Sequence, residues 1–144
     1  MARKHHTKNK GDIGNLKSQA KMAELGYTIL VPITEHEVFD FAAYKDGKFL
    51  RIQSKYSSMH NGCIKVSLRT SWADKNGSHS TYVDKDQIDW FCVYCPDTGE
   101  VYIVDHQSFD NKNAIILRVE PPKNNQIKNV NLAEHYLEPP DQSA

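Results

Sequence analysis

Hydrophobic positions along the chain fall into short blocks whose period changes once, from helical to strand-like. Between Asp12 and Gly26, Ile13, Leu16, Ala20 and Ala23 recur at near-helical spacing, and Gly26 is placed to end a helix. Tyr27 to Val31 is a short apolar run stopped by Pro32 and reads as a buried strand. Val38 to Tyr44 predicts a second strand. Lys45-Asp46-Gly47 then supplies turn chemistry, and Lys48 to Tyr56 returns as the other arm of a hairpin. From Cys63 to Thr70 the alternation is clean, with Ile64, Val66 and Leu68 inward and Lys65, Ser67 and Arg69 outward. The polar stretch Ser71 to Ser80 reads as a mobile loop with one isolated tryptophan. Ile88 to Cys95 predicts an apolar strand, residues 96 to 99 (PDTG) a turn, and Glu100 to Val104 its partner. Asp105 is suited to cap a helical turn through His106 to Phe109, and Asn113 to Val119 predicts a last strand. One helix followed by strands in hairpin succession, without internal repeat, indicates an α/β or mixed α+β fold.

Length and composition narrow the class without naming a function. A chain of 144 residues suits one domain, and 25% charged with 39% hydrophobic residues is ordinary for a globular protein. Lys+Arg and Asp+Glu balance at 18 each, so net charge gives no argument for a nucleic-acid partner. Their distribution is more telling. Residues 1–10 hold four basic residues and two histidines without an acid, a basic arm that suits either phosphate or solvent. Residues 11–120 carry the regular pattern, and 121–144 form a Pro/Asn-rich extension, acidic from Glu134 to Asp141, in which only Leu132 to Leu137 is expected to dock. No run approaches the roughly 20 apolar residues of a membrane span, and the N-terminus lacks a signal-peptide core, so a cytoplasmic protein with no membrane contact is expected. Cys92 and Cys95 have C-x-x-C spacing inside an apolar strand. A zinc site would need a second ligand pair, so they read as buried free thiols.

One acid is out of place in this pattern. Asp40 interrupts VFDFAAY between two phenylalanines, where a carboxylate is costly unless paired or holding a metal. The hairpin brings it beside Gln53 on the returning strand, and Lys55 shares the face of Gln53 and Arg51. A carboxylate, an amide oxygen and an ammonium then meet on one patch of sheet. Phosphodiester hydrolysis uses such a set: hard oxygen ligands hold Mg2+ against a phosphate oxygen, and a lysine orients water and offsets charge. The structural alternative is an Asp40–Lys55 ion pair with an incidental glutamine.

Asp40, a gap of twelve residues, and Gln53-Ser54-Lys55 resemble the PD-(D/E)XK nuclease motif. Lys10-Gly11 before a helix, Gly26-Tyr27 before a strand, Pro32, Asp40 and RIQSKY follow in the same order. The later run YVDKDQIDWFCVYCPDTGEVYIV is similar to one branch of that superfamily, which includes homing endonucleases encoded within cyanobacterial group I introns. The resemblance spans roughly residues 10 to 109. It implies a restriction-endonuclease-like core, with an N-terminal helix and a central mixed sheet, and a Mg2+-dependent homing-type DNA endonuclease. Mn2+ or Ca2+ would substitute for binding. It also implies double-stranded DNA as partner and a homo-oligomer, a dimer or a tetramer. Two departures stand out. Gln53 replaces the second acidic ligand, and Asn15 stands at the position of the helix glutamate that completes the metal shell, with Asp12 or Glu37 as possible replacements. The implied catalytic set is therefore Asp40, Gln53, Lys55 and Asn15, of which Asp40, Gln53 and Asn15 are the metal ligands. A junction-resolving or repair nuclease of the same fold and a catalytically silenced DNA-binding version are the alternatives.

DNA contacts are expected from the outward face of residues 63 to 70 and the stretch after it: Lys65, Ser67, Arg69, Thr70, Trp72, Lys75, Asn76, His79 and Tyr82. Trp90 and Tyr94 lie in an apolar strand and read as core or subunit interface.

Overall fold

The computed structural model describes residues 6–82, 86–108, 113–121, 124 and 130–140. Helix α1 runs His6–Glu24, beginning six residues earlier than Asp12 and taking in half of the expected basic arm. Its end follows the sequence signal. Gly26 has φ +94°, its N–H donates to Ala23 O at 3.0 Å, and the Tyr27 N–H donates to Met22 O at 3.1 Å. These two bonds form a Schellman motif, whose left-handed position favours glycine.

Five strands form the central sheet: β1 (Thr28–Leu30), β2 (Phe41–Lys45), β3 (Lys48–Tyr56), β8 (Trp90–Cys95) and β9 (Glu100–Asp105), in that spatial order. Only the β3–β8 pair is parallel, with Ile52 opposite Trp90 and Lys55 opposite Val93. The β2–β3 hairpin turns through Asp46 (φ +52°) and Gly47 (φ +80°), and Lys45 pairs with Lys48. Two central residues with positive φ make the type I′ turn that matches strand twist.

A second sheet is ordered β11 (Asn131–Leu132), β10 (Ala114–Arg118), β5 (Cys63–Ser67) and β4 (Met59–His60). Alternation sorts the core into two layers. Met22, Phe41, Leu50, Ile52, Trp90 and Cys92 pack between α1 and the central sheet. Ile64, Val66, Leu68, Phe91, Val93, Val104, Ile115 and Leu117 pack between the sheets. Within the C-terminal extension a 3-10 turn, Ala133–Tyr136, sets Ala133 and Leu137 against the inter-sheet core, as expected of that segment. The turn after Asp105 also forms, over His106–Ser108, with the Gln107 N–H donating to Asp105 Oδ1 at 2.9 Å; Phe109 lies outside the described residues.

The stretch expected to be a loop is a hairpin. β6 (Arg69–Asp74) pairs antiparallel with β7 (Gly77–Tyr82) as a separate two-stranded ribbon. Both its faces meet solvent, so no hydrophobic alternation marks it. Its register rests on polar pairs and on a turn where Asp74 Oδ1 accepts from the Asn76 N–H at 2.7 Å and Gly77 takes φ +115°. The result is an α/β molecule of three layers: helix, mixed sheet, second sheet.

Candidate active site

Asp40 sits one residue before β2, where its N–H donates to Ile52 O at 2.8 Å. The β2–β3 ladder ends at Phe41 opposite Ile52, so Asp40 stands at the mouth of the hairpin beside the Ile52–Ser54 stretch of β3. Alternation puts Gln53 and Lys55 on one face of β3, and the Asp40 charge is near enough to act on Lys55. Asp40 is held by the residue between Gln53 and Lys55: Ser54 donates to Asp40 Oδ2 from its N–H at 2.7 Å and from its hydroxyl at 3.1 Å. Both bonds fall on Oδ2, which leaves Oδ1 for another partner.

Gln53 is anchored by its amide nitrogen, which donates to Val38 O at 3.2 Å. Its Oε1 is buried without a hydrogen-bond partner. A buried carbonyl oxygen with no donor is costly, and a hard cation is one group that satisfies it.

Lys55 is largely buried, with Nζ 5.2 Å from the centre of the Phe91 ring. Burial pushes its pKa below the ordinary lysine value, and the Asp40 charge offsets only part of that shift. Lys55 and Asp40 are not within ion-pair distance, whereas Arg51–Asp89 and His79–Asp74 are. The structural alternative of an Asp40–Lys55 salt bridge is therefore absent, and Asp40 owes its position to Ser54.

Arg51 completes this face of β3. Its N–H and Nε donate to Asp89 Oδ2 at 2.7 and 3.0 Å, its Nη2 to Asp89 Oδ1 at 3.2 Å, and its Nη1 to the Asp86 carbonyl. Burial raises the Asp89 carboxyl, but the Arg51 hydrogen bonds and charge, with Lys48, hold it below the usual carboxylate range. The clamp joins the start of β8 to the strand that carries Gln53 and Lys55.

Asn15 occupies a different layer. Helix α1 lies across the sheet from Gln53 and Lys55, and docks through Gly14. A Cβ there would stand 3.2 Å from Lys55 O and 3.3 Å from Tyr56 Cβ. Asn15 is thus one residue from the end of β3, but its Oδ1 accepts from Gln19 Nε2 at 3.0 Å, and it makes no hydrogen bond to Asp40, Gln53 or Lys55. Asp12 and Glu37 are exposed.

Among the described residues no three His, Cys, Asp or Glu side chains are grouped to hold a metal. A cation on this face would rest on the Asp40 carboxylate and the Gln53 amide oxygen, with water and substrate phosphate completing its shell. Mg2+ accepts that arrangement, because it keeps several waters and takes one or two carboxylates. The residues present fit the ion. Cys92 and Cys95 are buried free thiols, and burial pushes Cys92 up to about 12.

The residues expected to hold DNA separate into three groups. Lys65, Ser67 and Lys75 are exposed, and Trp72 and Tyr82 are about half exposed, at 49% and 54%. His79 is committed within the ribbon: Nε2 lies 3.0 Å from Asp74 Oδ1, and its ring stacks on Trp72 with centroids 5.3 Å apart. Arg69 is also occupied. It bonds to Ser80 through Nε and Nη2 and to Asn113 Oδ1 through Nη1, and stacks 4.5 Å over the Tyr82 ring. The Thr70 side chain lies outside the described residues. Trp90 is buried in the layer under α1, and Tyr94 packs at its margin.

Sequence reasoning missed Ser54, which joined the motif only as a spacer. The hairpin register was a usable signal, because a residue flanking Gln53 must present its N–H toward the start of β2. The Arg51–Asp89 clamp spans 38 positions and left no local signal.

The sequence profile of the PD-(D/E)XK endonuclease family matches residues 5–139. Among solved structures, a bacterial homing endonuclease, I-Ssp6803I, superposes with a TM-score of 0.67 at 18% sequence identity, over 85% of this chain and 83% of that one. At that identity the likeness concerns the fold. A comparison with curated proteins found no match.

Proposed function

The chain belongs to the PD-(D/E)XK endonuclease family, and we propose that it is a Mg2+-dependent, site-specific endonuclease of the homing type acting on duplex DNA. One observation carries the reading. Near the end of β3 stand a carboxylate pinned by Ser54, a buried amide oxygen without a donor, and a desolvated ammonium on which that carboxylate's charge acts.

In this reading Mg2+, when bound, polarises the scissile phosphate and lowers the pKa of a water. The chain does the rest. Ser54 fixes Asp40 so that Oδ1 is presented to the site. Gln53 offers Oε1 while Val38 holds its amide nitrogen. Lys55, drawn out of water beside Phe91, offsets charge as it builds on the phosphate oxygens, where a low dielectric strengthens the interaction. Lys65, Ser67 and the exposed ribbon side chains Trp72, Lys75 and Tyr82 face DNA, while Arg69 and His79 stiffen the ribbon. Cleavage of both strands uses two copies of the site, hence a dimer or a larger symmetric assembly.

A second reading, a silenced DNA-binding version, is favoured by Asn15, a neutral residue whose oxygen is already used by Gln19. Nicking of supercoiled plasmid across a Mg2+ series, by the native chain and by Asn15→Glu, separates the two. An active enzyme gives metal-dependent nicking in the native chain; a shift to lower Mg2+ in Asn15→Glu would bring that position to the metal despite its place in the helix layer. Nicking by Asn15→Glu alone supports silencing. Superimposed active curves would remove Asn15 from the site.

A further inference from the structure

We infer that Lys10 and Lys17 of α1 form a second phosphate-holding site, on the opposite side of the β3 terminus from Lys65. The inference rests on the proposed DNA-binding function and extends it to a surface outside the motif. Lys10 Nζ lies 5.9 Å from the centre of the Tyr56 ring, and Lys17 Nζ lies 5.7 Å from that of Tyr94. The two rings meet edge to face at 5.7 Å, on residues paired across the parallel β3–β8 ladder. Two exposed ammonium groups thus stand over one tyrosine floor.

Helical geometry places them together. Successive residues turn by about 100°, so Lys10 and Lys17 both fall within about 60° of Gly14 on one flank, and Asn15 about 100° away on the other. Gly14 sets the helix close against Lys55 and Tyr56, so the lysines stand at the end of the catalytic strand. On the far side of that end, Ser57 Oγ donates to Lys65 O at 2.8 Å, which brings β5 and its exposed lysine to the same terminus. The backbone of β5 thus reaches the same terminus, and exposed lysines stand both on the helix and on the second sheet.

Neither lysine has an ion-pair partner among the described residues. Each ammonium lies over a ring, which restricts the side chain, and both residues remain exposed. A purely structural cation–π role would affect folding and leave the salt dependence of DNA binding unaltered. Phosphate binding would appear in that salt dependence.

The test is the salt dependence of binding to a fluorescently labelled random-sequence duplex, without Mg2+. The Lys10→Met/Lys17→Met variant keeps helix propensity and the apolar stem but removes both charges. Each phosphate contact contributes about 0.9 to the slope of log K against log salt, so the slope should become shallower by about two, with weaker binding and an unchanged circular dichroism spectrum. Lys10→Arg/Lys17→Arg should restore it. Lys48→Met, at the opposite end of β3, should leave the slope unaltered. A native slope in the double methionine variant, or an equal change in Lys48→Met, overturns the inference while the DNA-binding reading stands. Absence of duplex binding by the native chain overturns both.

Discussion

Burial of the Lys55 ammonium sets a pH dependence for this chain. Its folded pKa lies below the lysine value of the unfolded chain, so across that interval the unfolded state binds more protons. Stability contributed by this group therefore rises with pH from the folded pKa toward about 10.4. Lys55→Met removes the desolvated charge and keeps an apolar chain beside Phe91. It should melt at a higher temperature than the native chain at neutral pH, and the margin should narrow as pH rises. A margin that stays constant with pH would mean that Lys55 is not desolvated. Nicking should be lost at every pH. A stabilised but inactive variant is what a site residue gives, since its environment serves the reaction at a cost to the fold.

At the scale of elements, the contact between α1 and β3 is the most exacting. Gly14 is buried against the backbone of Lys55, and Ser18, also buried, returns its hydroxyl to Gly14 O at 2.7 Å. Gly14→Val would drive two methyl groups into Lys55 O and Tyr56 Cβ, forcing the helix off the strand. The expected cost is about 1–3 kcal/mol by denaturant titration, with nicking falling further than stability because the displacement lands on Lys55. A variant as stable and active as the native chain would show that α1 docks elsewhere. The elements also differ in how plainly the sequence announced them. The β2–β3 hairpin was legible because Asp46-Gly47 is a turn signal between alternating strands, and the end of α1 because Gly26 occupies a left-handed cap. The β6–β7 ribbon was not legible: both faces are solvated, and Trp72–His79 and Arg69–Tyr82 contacts across strands replace the buried face that period-two reading detects. The first turns of α1 carry no apolar face, so the basic composition of His6 to Gly11 hid a helix.

For the whole molecule, the proposed chemistry falls where two layers meet the end of one strand. β3 is buried on its helix side through Leu50 and Ile52, and its other face carries Arg51, Gln53 and Lys55. The odd polar residues of this strand are thus explained by neither solvent nor the sheet's edge, since β3 is the middle strand of five. Sequence alone brought Asp40 near Gln53 and Lys55 because a hairpin is local and fixes its own register. It could not reach the partners that come from afar, Asp89 on Arg51 and the tyrosine floor under Lys10 and Lys17, because these depend on β8 joining β3 in parallel across 38 positions.

The central claim is that this one face of β3 hydrolyses DNA. The most direct measurement is Mg2+-dependent nicking of supercoiled plasmid by Asp40→Asn beside the native chain, with duplex binding followed in parallel. Asparagine keeps an oxygen that can accept from Ser54 but removes the carboxylate proposed to hold the metal. The account predicts nicking by the native chain, its loss in Asp40→Asn by two orders of magnitude or more (about 3 kcal/mol of transition-state stabilisation), and duplex affinity nearly unchanged. Native-rate, Mg2+-dependent nicking by Asp40→Asn would contradict it and move the reaction to another part of the molecule.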